Sequence, residues 1–502
     1  MSSVRLLLVL VFVATLFSAT NVVAQGDSVP PTLIALQEQI ESNTQQLRLL
    51  SEQLGQAEST SDAAFGLFPD PGDDGCTPGS LLRVPLTMEQ AVDLDCDQAP
   101  SSAKTHHRLD FYGDYDKGFV IEPFDQSEHP FRLRISSWVQ FRHSGFGRDV
   151  DTWADNAGTV RDVRTRNVFD IERARLVFSG MAIDERFNYF LQIDGDSDGS
   201  HIADFMDYWI GWKFSDSFRL QMGKRKIPGS RQWLLSARRT RFSDRPMAND
   251  FFRPDRTIGI YGIGTIGERG HYQLMVGDSF HRPNARINQR DDRFTFAATS
   301  YFDPWGNYGS QIVDFDCSGS PLLRVGHSIT YSSQESDRLG TALDEATFLR
   351  LSDGTVLTQT GALATGVTVS EYDILLYGID IAWKYQGWSF NSEVFLRWVD
   401  NLRGDGALAI SHLDQRGLYV EGGRFLIPKT LDLNGRYSQV SGEFGTGTEY
   451  AIGFSWFPAH KPQLKFSFDV TALDSSPLQG TPSDILAGDD GILYRTQLQA
   501  DY

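Results

Sequence analysis

The chain has 502 residues, of which 22% are charged and 12% aromatic, with 46 Gly and only 20 Pro. This composition excludes collagen-like, low-complexity and intrinsically disordered chains. After the first two dozen residues no apolar run approaches the roughly 18 residues of a membrane helix, which excludes a helical membrane protein. The formal net charge of -19 argues against nucleic acid as a partner, because phosphate backbones are bound by basic surfaces.

Residues 1–24 predict a secretory signal peptide. Arg5 precedes an apolar stretch over residues 6–17, and Val22 and Ala24 place small residues three and one positions before the expected cleavage point. A membrane anchor is the alternative, but the apolar run is too short to span a bilayer. We therefore expect the mature chain to leave the cytoplasm.

Residues 25–55 predict a periplasmic coiled-coil segment. Seven residues follow each other at alternating spacings of three and four: Leu33, Leu36, Ile40, Asn43, Leu47, Leu50 and Leu54. This is a heptad seam, in which a polar residue such as Asn43 fixes register and oligomer number. A single amphipathic helix lying on a domain is the alternative, although it usually has a wider apolar face. The seam indicates a homo-oligomer.

Residues 56–118 predict an acidic linker. The segment 25–130 carries 19 acidic and 5 basic side chains, a net charge of -14, so most of the acidity lies outside the remaining chain, which carries -6. Only three cysteines are present, which is few for a secreted disulfide scaffold. Cys76 and Cys96 either form one local disulfide or stay reduced, and Cys317 is left free.

Residues 119–502 predict a transmembrane barrel built of alternating strands. From Phe131 onward apolar and polar residues alternate with period two in segments of about 9 to 15 residues. Sixteen such segments lie near 131–144, 166–181, 186–195, 205–214, 217–226, 256–266, 270–278, 293–303, 321–332, 372–385, 387–400, 416–426, 431–442, 448–457, 463–473 and 491–502.

The connections between these segments alternate between long loops and short turns, with exceptions at 443–447 and 304–320. Backbone groups in lipid must all be paired, so a sheet that spans a membrane has to close, and an even strand number with alternating loop lengths is typical of outer-membrane barrels. A soluble β-sandwich or solenoid is the alternative. The fold class expected is all-β, a sixteen-stranded antiparallel transmembrane β-barrel with a short N-terminal coiled coil.

Several stretches resemble the phosphate-selective porin O and P family. They are Phe119–Ile121, Phe131–Arg134, Phe169–Gly180, Tyr189–Asp194, Leu220–Pro228 and Asp255–Ile260. The resemblance is clear over about residues 115–265 and is one of strand pattern thereafter. It implies a homotrimeric, sixteen-stranded porin in the bacterial outer membrane, in contact with its lipid, that takes up phosphate or related anions.

Basic residues concentrate in one segment. Residues 224–256 hold ten basic and three acidic side chains, a net charge of +7, mostly within the third long loop. In trimeric porins this loop folds into the lumen, so we expect an anion-binding constriction built from Arg231, Arg238, Arg239, Arg241, Arg245 and Arg253. Nine further arginines share the polar strand face and are expected to line the pore: Arg132, Arg134, Arg142, Arg173, Arg175, Arg225, Arg324, Arg397 and Arg436. Arginine suits an oxyanion path because its planar fork can hold two phosphate oxygens.

No catalytic set, phosphate-binding loop, metal quartet or cofactor motif stands out in the sequence. The expected function is therefore a water-filled channel for passive uptake of small anions, possibly phosphate or polyphosphate, and not an enzyme. Two alternatives stay open: a general, weakly selective porin, and a structural protein that ties the outer membrane to the cell wall through its N-terminal segment.

Overall fold

The computed structural model describes residues 111–127, 130–195, 197, 203–281, 293–335, 348–478 and 483–502. The predicted signal peptide, the coiled coil, the linker up to residue 110 and the Cys76–Cys96 pair lie outside these residues. They stay predictions.

A small hairpin precedes the barrel. Strands β1 (Phe111–Tyr115) and β2 (Phe119–Pro123) pair with each other, and Phe119 of β2 lies opposite Ile135 of the first barrel strand. The period-two pattern before residue 131 is too short to have predicted β1. The closed wall itself begins at Phe131.

Among the described residues, sixteen antiparallel strands form the closed wall. These are β3 (Phe131–Arg148), β6 (Arg166–Ala182), β7 (Asp184–Asp194), β8 (Asp204–Ser215), β9 (Phe218–Lys226), β10 (Arg256–Ile266), β11 (Gly270–Gly277), β12 (Thr295–Phe302), β13 (Leu322–Glu335), β14 (Val369–Tyr385), β15 (Trp388–Gly404), β16 (Leu413–Ile427), β17 (Leu431–Gly442), β18 (Gly445–Trp456), β19 (Leu464–Asp474) and β20 (Gly491–Asp501). Two short strands, β4 (Thr152–Ala154) and β5 (Val160–Asp162), form a hairpin in the first long loop. The barrel closes where β20 pairs with β3. The predicted all-β, sixteen-stranded barrel is confirmed.

The outer face of the wall is apolar. A row of directly paired residues crosses six strands and is 41 to 51% exposed: Ile210, Met222, Ile260, Val276, Phe296 and Tyr331. Cross-strand neighbours share one face of a sheet. The residues of opposite parity, such as Gln221 and Tyr261, therefore face the lumen.

Long and short connections alternate, as the sequence predicts. The side with short turns has the connections 216–217, 267–269, 386–387 and 428–430, while loops such as 149–165 and 475–490 lie at the other end. We call these ends the turn side and the long-loop side. Within the described ranges, no helix is long and apolar enough to cross a membrane.

The interior is partly filled with protein. Residues 227–255, which we call the lumenal loop, contain helices α1 (Arg231–Leu234) and α2 (Met247–Phe252) and a 3₁₀ turn at Ala237–Arg239. Phe252 is buried and stacks on Phe395 of β15, with ring centroids 5.5 Å apart. A Cβ on Gly417 would lie 2.3 Å from the Phe252 ring, so glycine is needed there for the close approach of loop and wall.

A second connection also turns inward, from the turn side. Residues 303–321, which we call the turn-side loop, bury Tyr308, Ile312 and Phe315. Asp314 fixes the loop by accepting hydrogen bonds from the backbone N–H groups of Gly387 (2.7 Å) and Ser318 (3.0 Å). From the sequence, this connection is expected only to be longer than a turn.

Candidate functional site

Arginines of the lumenal loop bind carboxylates on the barrel wall. Arg231 pairs with Asp380 of β14 at 2.7 Å, and Arg238 pairs with Asp501 of β20 at 2.7 Å. Arg241 contacts Asp432 of β17 at 3.3 Å. The negative field of Asp380 and nearby groups raises the pKa of Arg231 despite its burial. These three cations hold the loop across the lumen.

Asp244 makes the reverse connection, from the loop to cations on the wall. Its Oδ2 accepts hydrogen bonds from Arg142 of β3 (2.9 Å) and Arg173 of β6 (3.1 Å). Arg142 also contacts Glu172 at 3.1 Å and Asp484 at 3.0 Å, and so joins the lumenal loop to the last long loop. Burial opposes ionisation of Asp244, but the neighbouring guanidinium groups outweigh it and hold the pKa of this carboxyl well below its usual range.

Wall carboxylates also accept hydrogen bonds from the loop backbone. The N–H of Gln232 donates to Glu393 (2.6 Å), that of Ser243 to Asp469 (3.1 Å) and that of Met247 to Glu449 (2.7 Å). Buried backbone donors need partners, and these charged acceptors form stronger bonds than neutral ones. The fold of the loop is therefore specified by acids on β15, β18 and β19.

Four cations surround the buried ring of Trp233. The distances to the ring centroid are 4.3 Å for Arg253, 4.5 Å for Lys226, 5.3 Å for Arg245 and 5.3 Å for Arg256. Ser230 caps helix α1 by accepting a hydrogen bond from the Trp233 N–H, which fixes this residue in place. The arrangement allows cation–π attraction to offset part of the repulsion among the cations. We call these five residues the Trp233 cluster.

Two members of the cluster have their charges matched and two do not. Arg253 contacts Asp250 at 3.3 Å and Asp255 at 3.5 Å, and Arg256 contacts Asp207 at 3.1 Å. In the described part of the chain, Lys226 and Arg245 have no carboxylate within 4 Å.

Lys226 and Arg245 instead donate to backbone carbonyls. Both donate to the carbonyl of Leu235, Lys226 at 3.0 Å and Arg245 at 2.9 Å. Burial lowers the pKa of Arg245 to about 9, which still leaves this group protonated at neutral pH. Arg245 therefore holds a positive charge inside the barrel that no contacting carboxylate compensates.

Arg225 is a further lumenal cation without an acidic partner among the described residues. Its guanidinium lies 4.9 Å from the ring centroid of Tyr261 and 5.7 Å from that of Trp209, and its Nε and one terminal nitrogen make no hydrogen bond. It lies on the wall strand that leads into the lumenal loop.

The remaining arginines that the sequence predicts to line the pore, and Arg239 of the predicted constriction, are mostly engaged by other groups. The carboxylate-paired ones are Arg132 with Asp116, Arg175 with Asp194, Arg324 with Asp303, and Arg436 with Glu421 and Glu449. Three others donate to neutral oxygens: Arg134 to Ser179, Arg239 to the carbonyl of Ser310, and Arg397 to Gln415 and two carbonyls. Arg239, Arg324 and Arg397 thus contact an inward loop, whereas Arg132, Arg134 and Arg175 bind partners elsewhere.

Sequence reasoning left Trp233, Lys226 and Arg256 out of the constriction. Lys226 and Arg256 belong to the basic segment and could have been included, whereas nothing in the sequence singles out Trp233. The wall acids Asp380, Glu393, Asp432, Glu449, Asp469 and Asp501 were also missed. The period-two alternation of the late strands does place these acids on the polar face. The same alternation identified the arginines that are expected to line the pore.

The loop contacts are concentrated on one side of the barrel. The wall side chains named above that form hydrogen bonds or ion pairs with the lumenal loop come from β3, β6, β9 and the strands from β14 to β20, and none of them comes from β7, β8 or β12. We infer that the passage left beside the loop lies along this part of the wall, near β7 and β8.

A closed sixteen-stranded barrel with an apolar outer face and an inward third loop defines an outer-membrane porin. The family model of the phosphate-selective porins O and P matches residues 146–502, and the chain belongs to that family. The match covers the late strands, where the sequence analysis saw only a strand pattern, and begins after the Phe119–Arg134 stretches.

Three solved structures are similar to this chain at low sequence identity. OmpT of Vibrio cholerae is 10% identical over 74% of this chain and 98% of its own, with a TM-score of 0.42. The channel DcaP of Acinetobacter baumannii is 10% identical over 74% and 97%, with a TM-score of 0.45. OmpF of Salmonella typhi, in complex with daunomycin, is 11% identical over 78% and 100%, with a TM-score of 0.46. No curated protein matches the chain.

Proposed function

We propose that this porin is an anion-preferring channel for the passive uptake of small anions such as phosphate, and that it works as a homotrimer in the outer membrane. The observation that carries the proposal is the charge of Arg245 in the Trp233 cluster, beside the passage, which no carboxylate of the described residues contacts; Lys226 adds a buried amine next to it. Cations in a narrow passage with low-dielectric walls raise the local anion concentration. Cations already neutralised by a wall carboxylate add little to that field.

The available donors favour a general anion preference over strict phosphate specificity. Arg245 uses its Nε and one terminal nitrogen on the carbonyls of Gln232 and Leu235, and Lys226 uses two bonds on those of Trp233 and Leu235. Arg245 therefore has no free guanidinium fork to hold two oxygens of one phosphate, and Lys226 carries a single amine in place of a fork. An anion in the passage would meet mainly point charges.

The weakly selective porin is the competing function, and it is favoured by the acids on the same wall. Asp194 and Asp207 lie on β7 and β8 beside the passage, where each pairs with an arginine. If their field balanced that of the cluster, anions and cations would permeate alike. The wall tether rests on the N-terminal segment and gains no support from the barrel.

The test is the reversal potential of planar bilayers holding purified protein, under a KCl gradient at low ionic strength. The screening length is roughly 30 Å at 0.01 M, so fixed charges act most strongly there. Replacing Lys226 and Arg245 together by Gln should lower the anion-over-cation permeability ratio severalfold. The control replaces the exposed cations Arg403 and Lys429 by Gln, which removes the same net charge far from the passage and should leave the ratio unchanged.

Equal reversal potentials for the cluster variant and the wild type would refute the proposed role of these two cations. A shift of the same size in both variants would mean that net charge, and not the cluster, sets selectivity.

A further inference from the structure

A recess opens in the lumenal face of strands β7 to β10, toward the turn side. It has a volume of about 310 Å³, and its lining includes Asn188, Trp209, Lys213, Arg219, Gln221 and Ile263. The strand registers put these residues on one face, because Asn188, Gly211 and Gln221 are successive cross-strand neighbours, as are Lys213, Arg219 and Ile263. The recess lies on the side of the barrel that the lumenal loop leaves open.

The recess carries more positive than negative charge. Lys213 and Arg219 lie directly opposite each other on β8 and β9, and like charges in that position destabilise a sheet. Lys213 contacts Asp216 at 2.6 Å, but that carboxylate is 97% exposed and well screened. Within the described residues Arg219 has no carboxylate within salt-bridge distance. An anion between the two cations would relieve their repulsion.

The recess also contains a buried hydrogen-bond acceptor without a partner. Gln221 is only 4% exposed, and its Oε1 accepts no hydrogen bond from any described residue. A Cβ on Gly211 would lie 2.9 Å from the Gln221 Cγ, so glycine at this position makes room for the amide. Buried acceptors are rarely left without a donor, because the loss of hydration is costly. A ligand with a hydroxyl or N–H group would satisfy it.

The remaining walls are apolar. The Trp209 ring is held in place by stacking on Phe190, with centroids 5.5 Å apart and planes 4° from parallel, and Ile263 lies on the neighbouring strand. A rigid aromatic wall beside an aliphatic one suits a flat organic body. Inorganic phosphate has no apolar part and would leave water in contact with these apolar walls.

We propose that the recess binds a small organic anion. Its carboxylate lies between Arg219 and Lys213, its apolar body packs against Trp209 and Ile263, and a hydroxyl or N–H group donates to the Gln221 Oε1. This site is separate from the Trp233 cluster. It rests on the proposed channel function only in that the ligand reaches it through the same passage.

The test is isothermal titration calorimetry on the purified full-length protein in detergent, with 4-hydroxybenzoate as the probe. Hydrogen bonds to charged groups contribute about 1.5 to 3 kcal/mol, so Arg219→Ala should weaken binding at least tenfold. Gln221→Leu should weaken 4-hydroxybenzoate severalfold and leave benzoate, which lacks the hydroxyl, unchanged. Lys429→Ala, which removes an exposed turn-side cation of the distant wall, is the matched control and should bind as wild type does.

Phosphate at the same concentration as the probe should not displace it. Absence of 4-hydroxybenzoate binding to the wild type, equal affinities in Arg219→Ala and Lys429→Ala, or displacement by equimolar phosphate would each overturn the proposal. Migration of each variant as a folded, heat-modifiable band shows that its barrel is intact. The calorimetric result is independent of the reversal potentials, so the site and the anion preference can fail separately.

Discussion

Replacing Asp244 by Asn should release the lumenal loop from the wall. The carboxylate is fully buried and is the shared acceptor of Arg142 (2.9 Å) and Arg173 (3.1 Å), so the variant leaves two buried cations with less counter-charge. Removing one partner of a buried ion pair costs about 3 to 5 kcal/mol. Because Glu172 and Asp484 still face Arg142, we expect the lower end, about 3 kcal/mol, or roughly a hundredfold rise in the undocked population.

Limited trypsin digestion measures that population, because the loop carries arginines that trypsin can cut only when the segment leaves the lumen. Cleavage of a transiently opened segment follows its equilibrium population when reclosing is fast. Asp501→Asn is the matched control, since its partner Arg238 is partly exposed and such pairs contribute about 0 to 1 kcal/mol. The cleavage rate of Asp501→Asn should therefore exceed that of the wild type by less than about fivefold.

The pH dependence of the same digestion follows from the depressed pKa of Asp244. A carboxyl whose pKa is lower in the folded than in the unfolded state stabilises the fold above its unfolded pKa, about 3.9, and loses this contribution only as pH falls through the folded value. The difference between variant and wild type should therefore be the same at pH 7 and pH 5. Equal cleavage rates for Asp244→Asn and Asp501→Asn would refute the anchoring role of Asp244.

Three further predictions test other parts of the molecule. Gly180→Ala should abolish the folded band on heat-modifiability gels, because the added Cβ would lie 1.6 Å from the Arg132 carbonyl oxygen. Gly435→Ala is the control and should fold normally, because no atom lies within 4 Å of the Cβ added there. Phe315→Ala should raise single-channel conductance by freeing the turn-side loop at a cost of about 3 to 5 kcal/mol, and unchanged conductance would place that loop outside the passage. Deleting residues 25–60 should leave a conducting barrel but a weaker oligomer. A trimer as heat-resistant as that of the full-length chain would show that the predicted coiled coil does not stabilise the oligomer.

The wall could be predicted because lipid and water impose opposite requirements on alternate residues. Strand ends were less accurate where pairing continues beyond the apolar belt. β3 extends to Arg148, four residues past its predicted end, because it continues to pair with β20 as far as Gly491. The backbone hydrogen bonds between neighbouring strands, and not the polarity of the side chains, decide where such a strand ends.

The charge pairing of the lumenal loop could not be predicted in the same way. Arg231 and Asp380 are 149 residues apart, and Arg241 and Asp432 are 191 apart. Such pairs meet only because the barrel closes, and nothing local in the sequence records which wall acid faces which loop cation. The excess of basic residues is visible in the sequence. Which of these cations pair with a wall carboxylate, and which do not, is visible only in the structure.

This partition changes how the basic segment is to be understood. A net charge of +7 over residues 224–256 suggests a strong field, yet Arg231, Arg238 and Arg241 are each matched by a wall carboxylate. Their charges hold the loop in place and largely cancel at the distance of a passing ion. The selectivity we propose therefore depends on the few cations that the wall leaves unmatched. A barrel with a net excess of acids can then still prefer anions, because the ion responds to the uncompensated charge next to its path and not to the total.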